Sequence, residues 1–140
     1  MAILDTNVFI RFLTQDSPEL SPRATALFGE IETDRRTVHV PEAVVAEIVF
    51  VLSSANLYDC SRDFIRDQLG HLMRLPGIEI PNKTALLDAL DMYVDFPRLA
   101  FLDALCIAHA KRFDDATVIT FDRGYRNIEG VTPVALRHRA

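Results

Sequence analysis

Short unbroken apolar runs alternate along this chain with longer stretches in which apolar residues recur every three or four positions. The first pattern predicts buried strands and the second amphipathic helices. Ala2 to Leu4 reads as a short buried strand, and Val8, Phe9, Phe12 and Leu13 then fall at helical spacing. Ser21-Pro22 has the form of an N-cap with proline at the first helical position, opening a helix through about Ile31. Thr37 to Val40 is a second strand, and Pro41 starts a strongly apolar helix to about Ser53. Ser61 caps a helix with Phe64, Ile65, Leu69 and Leu72 on one face, which Pro76-Gly77 ends. Glu79-Ile80 is a short strand, and Asn82 caps a helix carrying Leu86, Leu87 and Leu90. Pro97 breaks that region. Leu99 to Phe113 is a further helix, Thr117 to Phe121 the clearest strand, and Val131 to Leu136 a last one.

Strand-then-helix alternation implies parallel strands joined by helical crossovers, an α/β fold with the sheet covered on both faces. The 140 residues predict one domain spanning 1–140. In such sheets the functional crevice lies at the carboxyl ends of the strands, where Asp5 and Asp122 are predicted to sit.

Two more acids interrupt apolar stretches: Glu47 within Val44 to Val49, and Asp103 within Phe101 to Leu105. The helical neighbours of Glu47 are Ala43, Val44, Phe50 and Val51, which predicts a carboxylate along a buried stripe. Those of Asp103 are Leu99, Ala100, Cys106 and Ile107, and aspartate is a poor residue for a helix interior. Stripping water from a carboxylate is costly without partners. Four such acids suggest a shared positive partner, most economically a divalent metal ion. Each has a structural alternative. Asp5 can be an N-cap, Asp122 a turn residue before Arg123-Gly124, and Glu47 the partner of a buried arginine. Glu42, just after Pro41, suits the helix dipole and reads as structural, while Asp88, Asp91, Asp114 and Asp115 read as surface.

Hydrophobic residues make up 49% of the chain, ample for a core. No apolar run approaches the ~20 residues that span a bilayer, and the start of the chain lacks a basic leader, so no membrane association is expected. Cys60 and Cys106 form no motif and fit a cytoplasmic location, with Cys106 expected in the core. The four histidines show no zinc-ligand spacing, and no serine or cysteine nucleophile has an evident base. A net charge of −5 argues against a nucleic-acid coat protein but not against an enzyme that holds nucleic acid briefly.

Asp5-Thr6-Asn7-Val8-Phe9-Ile10-Arg11, Pro41 to Leu52 around Glu47, Leu102-Asp103-Ala104-Leu105, and Thr120-Phe121-Asp122-Arg123, in this order, resemble the PIN-domain ribonucleases and, more narrowly, VapC-type toxins of toxin–antitoxin pairs. The likeness runs over essentially the whole chain. It implies a three-layer sandwich with a central, mostly parallel sheet flanked by helices. It also implies Mg2+- or Mn2+-dependent endonucleolytic cleavage of RNA. The family's acidic quartet falls on Asp5, Glu47, Asp103 and Asp122, with Asp5 and Asp103 as direct ligands. Asp122 and Glu47 would act directly or through water. Thr6, Asn7 and Thr120 take the supporting hydroxyl and amide positions. The pattern departs at Ala100, where many relatives carry a further aspartate, and this bears on occupancy by a second ion.

Arg11, Arg98, Arg123 and Arg126 lie near the predicted edge and are candidates for RNA phosphates, against ordinary surface arginine as the alternative. The resemblance further implies an antitoxin partner and a homodimer. Phe9, Phe12, Leu13, Phe50 and Leu57 are either such a surface or core. A haloacid-dehalogenase-type phosphotransferase would need an acid at Asn7. The remaining rival is an inactive PIN-like or receiver-like domain that uses the acidic site only for binding.

Overall fold

The computed structural model describes residues 1–135. The chain divides into two compact units, Met1–Lys83 and Thr84–Ala140. The sequence expectation for Leu136 and the tail Arg137-His138-Arg139 lies outside the described residues.

The first unit holds three parallel strands in the order β1-β2-β3, with β1 at Ala2–Ile3, β2 at Val38–His39 and β3 at Ile78–Glu79. Ala2 pairs with Val38, and Val38 with Ile78. Helices α1 (Thr6–Thr14), α2 (Leu20–Glu32), α3 (Glu42–Ser53) and α4 (Arg62–Met73) connect them. The parallel arrangement agrees with the strand–helix alternation. Phe9 and Phe28 meet edge to face at 5.3 Å, and Phe12 stacks on Phe28 at 4.3 Å, which locks α1 onto α2. Ile31, Val45, Ile48, Leu52, Ile65, Leu69 and Ile78 are fully buried. Gly77 leaves room for close backbone approach. A Cβ there would lie 2.7 Å from the Arg36 carbonyl oxygen and 2.9 Å from Ile31 Cγ2.

Local signals set several boundaries. Ser61 Oγ accepts from the Phe64 N–H as the cap of α4. Pro41 stands at the N-cap of α3 with extended backbone. Ser21 does not cap α2. The helix begins at Leu20, two residues before Pro22, and the Leu20 N–H goes to Ser17 Oγ. The Ser21 hydroxyl is buried, donates to the Arg11 carbonyl at 2.7 Å and accepts the Ser17 N–H at 3.2 Å, so its oxygen is engaged outside the helix rather than as its cap. Strand β1 forms, but it is not buried as expected. It is an edge strand of its sheet, Ile3 is 62% exposed, and only Leu4 after it is buried.

The second unit holds most of α5 (Lys83–Asp95), then α6 (Phe101–Ala110), β4 (Thr117–Thr120), a single 3-10 turn at Arg123–Tyr125 and β5 (Thr132–Ala135). Strands β4 and β5 run parallel, with Thr117 opposite Thr132. Tyr93 and Phe101 meet edge to face at 5.9 Å, and Leu86, Leu90, Leu99 and Ile107 are buried. Helix α6 is shorter than the 99–113 stretch its apolar pattern predicts. Strand β4 is not covered on both faces, since Ile119 is 66% exposed. Cys106 is exposed rather than core, because it shares a helix face with exposed Leu102. Among the described residues no helix is long and apolar enough to cross a membrane.

Candidate functional site

In the first unit the chain leaves β1 through Leu4 and turns into α1 at Asp5. Asp5 is the N-cap, with extended backbone, and its Oδ1 accepts the Thr6 N–H at 2.7 Å. The capping alternative is therefore realised, and it leaves Oδ2 and the remaining lone pairs for another partner. Thr6 is buried, and its hydroxyl donates to Glu47 Oε2 at 2.8 Å. One threonine thus binds both Asp5 and Glu47, through its backbone N–H and through its side chain. Asn7 follows, exposed, in the first turn of α1.

Glu47 does not lie along a buried stripe. The buried face of α3 is Val45, Ile48, Val49 and Leu52, and Glu47 sits on the exposed side with Ala43 and Phe50. The helix is apolar nearly all round, so its pattern did not distinguish the two faces. Glu42 accepts from Asn82 Nδ2, in keeping with a structural part.

In the second unit Asp103 lies in the first turn of α6, not in a helix interior. There an acid is favoured by the unpaired N–H groups and the helix dipole. Its Oδ2 accepts the Ala100 N–H at 3.2 Å, and its Oδ1 accepts the Tyr125 hydroxyl at 3.0 Å. Ala100 is the N-cap of α6 and offers no side-chain bond. Asp122 follows β4 and caps the 3-10 turn, with Oδ1 accepting the Gly124 N–H at 2.7 Å. Its own N–H goes to Thr120 Oγ1 at 2.9 Å. Burial first, then the bond to Asp103, pushes the Tyr125 hydroxyl well above the ordinary phenol range, so it remains a donor.

The arginines divide. Arg98 donates from Nε to the Gly124 carbonyl at 3.0 Å and from Nη2 to the Arg126 carbonyl at 2.8 Å. Arg11 binds both oxygens of Asp16 at 3.0 and 2.9 Å, and Tyr58 donates to the same carboxylate at 2.6 Å. Arg123 and Arg126 are exposed, and among the described residues their guanidinium groups have no partner. Of the apolar residues considered as a partner surface, Phe9 is core, whereas Phe50 and Leu57 are 70% and 60% exposed.

No salt bridge among the described residues involves Asp5, Glu47, Asp103 or Asp122. The arginine pair considered for Glu47 is thus not formed there. These donors are all oxygen, each with lone pairs left over, which is the chemistry that suits Mg2+. Among the described residues no three His, Cys, Asp or Glu side chains are grouped so as to hold an ion. Tyr125 and the staple made by Arg98 were missed by sequence reasoning. Their only trace is an aromatic residue three positions after Asp122.

Parallel strands joined by helices, with Asp5 and Asp122 following strands and Glu47 and Asp103 on helices, define an α/β protein whose candidate acids offer only oxygen ligands. The chain belongs to the PIN domain family, whose pattern it matches over residues 2–131. Members of this family are typically metal-dependent nucleases. No curated protein matches the chain.

Proposed function

We propose that this chain is a Mg2+-dependent endoribonuclease, the VapC-type toxin of a toxin–antitoxin pair, with Mn2+ as an alternative ion. The observation that carries the reading is the sharing of Thr6 between Asp5 and Glu47. A buried hydroxyl spent on an exposed glutamate 41 residues away does little for a core, but it does orient a carboxylate.

Asp5, Asp103 and Asp122 would hold the ion, and Glu47 would hold or deprotonate the attacking water. Bound Mg2+ supplies a more acidic water and charge stabilisation at the phosphate. The chain's own residues arrange the carboxylates. Thr6 occupies one oxygen of Asp5 and one of Glu47 and leaves the other oxygen of each for a ligand. Thr120 fixes the backbone at Asp122, and Asn7 offers an exposed amide beside Asp5. Arg123 and Arg126, exposed and without internal partners, are the arginines best placed to meet phosphates. Arg11 and Arg98 already have internal partners. Under this reading the cell supplies an antitoxin that blocks the acidic site, and the toxin pairs with a second copy.

The test is cleavage of an RNA panel with Mg2+ and with a chelator, by wild type and by Asp5→Asn. Cuts that need the metal and vanish in the variant are expected. A variant that cleaves at the wild-type rate removes the assignment. RNA binding without cleavage by any metal would favour the inactive binding domain instead. A neighbouring reading frame for a small DNA-binding protein would support the toxin role.

A further inference from the structure

We propose that Tyr125 is a positioning residue for Asp103, and that Arg98 holds the turn from which Tyr125 and Asp122 both project. The inference rests on the nuclease reading and concerns how the second unit presents its two acids.

The Tyr125 ring is buried, at 5% exposure, and a phenylalanine would fill the same space. A buried phenol needs a partner for its hydroxyl, and here the partner is Asp103 Oδ1. With Oδ2 already held by the Ala100 N–H, the second bond fixes the plane of the carboxylate as well as its position. Each oxygen keeps a lone pair for a cation. In the same turn, the N–H of Gly124, the residue just before Tyr125, binds Asp122 Oδ1. Arg98 closes the turn from outside by donating to the carbonyls of Gly124 and Arg126, and its guanidinium lies 5.3 Å from the centre of the Phe96 ring. A displacement of this turn therefore moves Asp122 directly and Asp103 through Tyr125. Bonds that orient a ligating carboxylate commonly account for a 10- to 100-fold range in metal affinity.

The experiment is calorimetric titration of Mn2+ into wild type, Tyr125→Phe, Arg98→Met and Asp103→Asn, well below their melting temperatures, together with RNA cleavage kinetics. Tyr125→Phe is expected to weaken Mn2+ roughly ten-fold or more, and to lower kcat with KM for RNA unchanged. Arg98→Met keeps an unbranched stem beside Phe96, and it is expected to weaken Mn2+ and to speed amide exchange across residues 122–126. A purely structural tyrosine would lower the melting temperature without moving the Mn2+ affinity. If wild type binds Mn2+, Asp103→Asn does not, and Tyr125→Phe binds as wild type does, the positioning role is overturned and the nuclease reading stands. If Tyr125→Phe does not fold, Arg98→Met decides by the same comparison. A wild type that binds no Mn2+, or an Asp103→Asn that binds it equally well, overturns the nuclease reading and this role with it.

Discussion

The Thr6 hydroxyl donates to Glu47 Oε2 at 2.8 Å across 41 residues of chain, while the Thr6 N–H binds Asp5 Oδ1. Thr6→Val removes the first bond and keeps the second, with nearly the same side-chain volume. Glu47 is exposed and regains water, so the stability change is expected to be small, about 1 kcal/mol or less. Cleavage is expected to fall about ten-fold or more, as when a partner that orients a metal ligand is lost. Thr6→Ser keeps a hydroxyl and should recover most of the activity. Equal rates for the valine and serine variants would show that the bond has no part in the chemistry.

Magnesium is expected to raise the melting temperature of wild type. A ligand that binds only the folded chain adds about 2.7 kcal/mol when present at a hundred times its Kd. Asp5→Asn keeps an oxygen acceptor for the Thr6 N–H, and asparagine caps helices as well as aspartate does. The variant should therefore melt near wild type without metal and lose the magnesium increment. Differential scanning calorimetry with and without Mg2+ reads both quantities. An undiminished increment in the variant would take Asp5 out of the ligand set.

Asp16 gives the first unit an acid-sensitive tie. The hydrogen bond from Tyr58, then those from Arg11 and Thr14, hold its carboxyl down at about 2, below the ordinary 3.8. A lowered folded value means that the unfolded chain takes up the proton first as pH falls. The contribution is therefore fully present above about pH 4 and is lost as pH drops toward 2. Urea midpoints measured from pH 5 to pH 2 should fall less steeply for Asp16→Asn than for wild type. Tyr58→Phe should flatten the profile in the same direction, because that hydroxyl is the largest cause. Parallel profiles for all three proteins would contradict the assignment.

Ala100 stands at the N-cap of α6 with φ −71° and ψ 159°, the extended backbone that a capping residue adopts, yet it has no side chain to cap with. Ala100→Ser supplies one. The expected gain is about 1 kcal/mol in chemical denaturation, with Mn2+ affinity unchanged. A loss of stability would mean that the serine hydroxyl competes for the Ala100 N–H bond to Asp103.

The order of strands and helices was legible in the sequence, and so were the Ser61 cap, the helix start after Pro41 and the four acids in their motifs. These features depend on residues one to four positions apart, and periodicity, capping and backbone preference act over that range. Only the tertiary structure decided which side of α3 is buried, because an apolar helix carries little information about its own orientation. It alone joined Thr6 to Glu47 and Tyr125 to Asp103, and it gave Ser21, Arg11 and Arg98 internal partners in place of a cap or an open surface. Those bonds link residues 5 to 41 positions apart, and folding alone brings such distant donors and acceptors within reach.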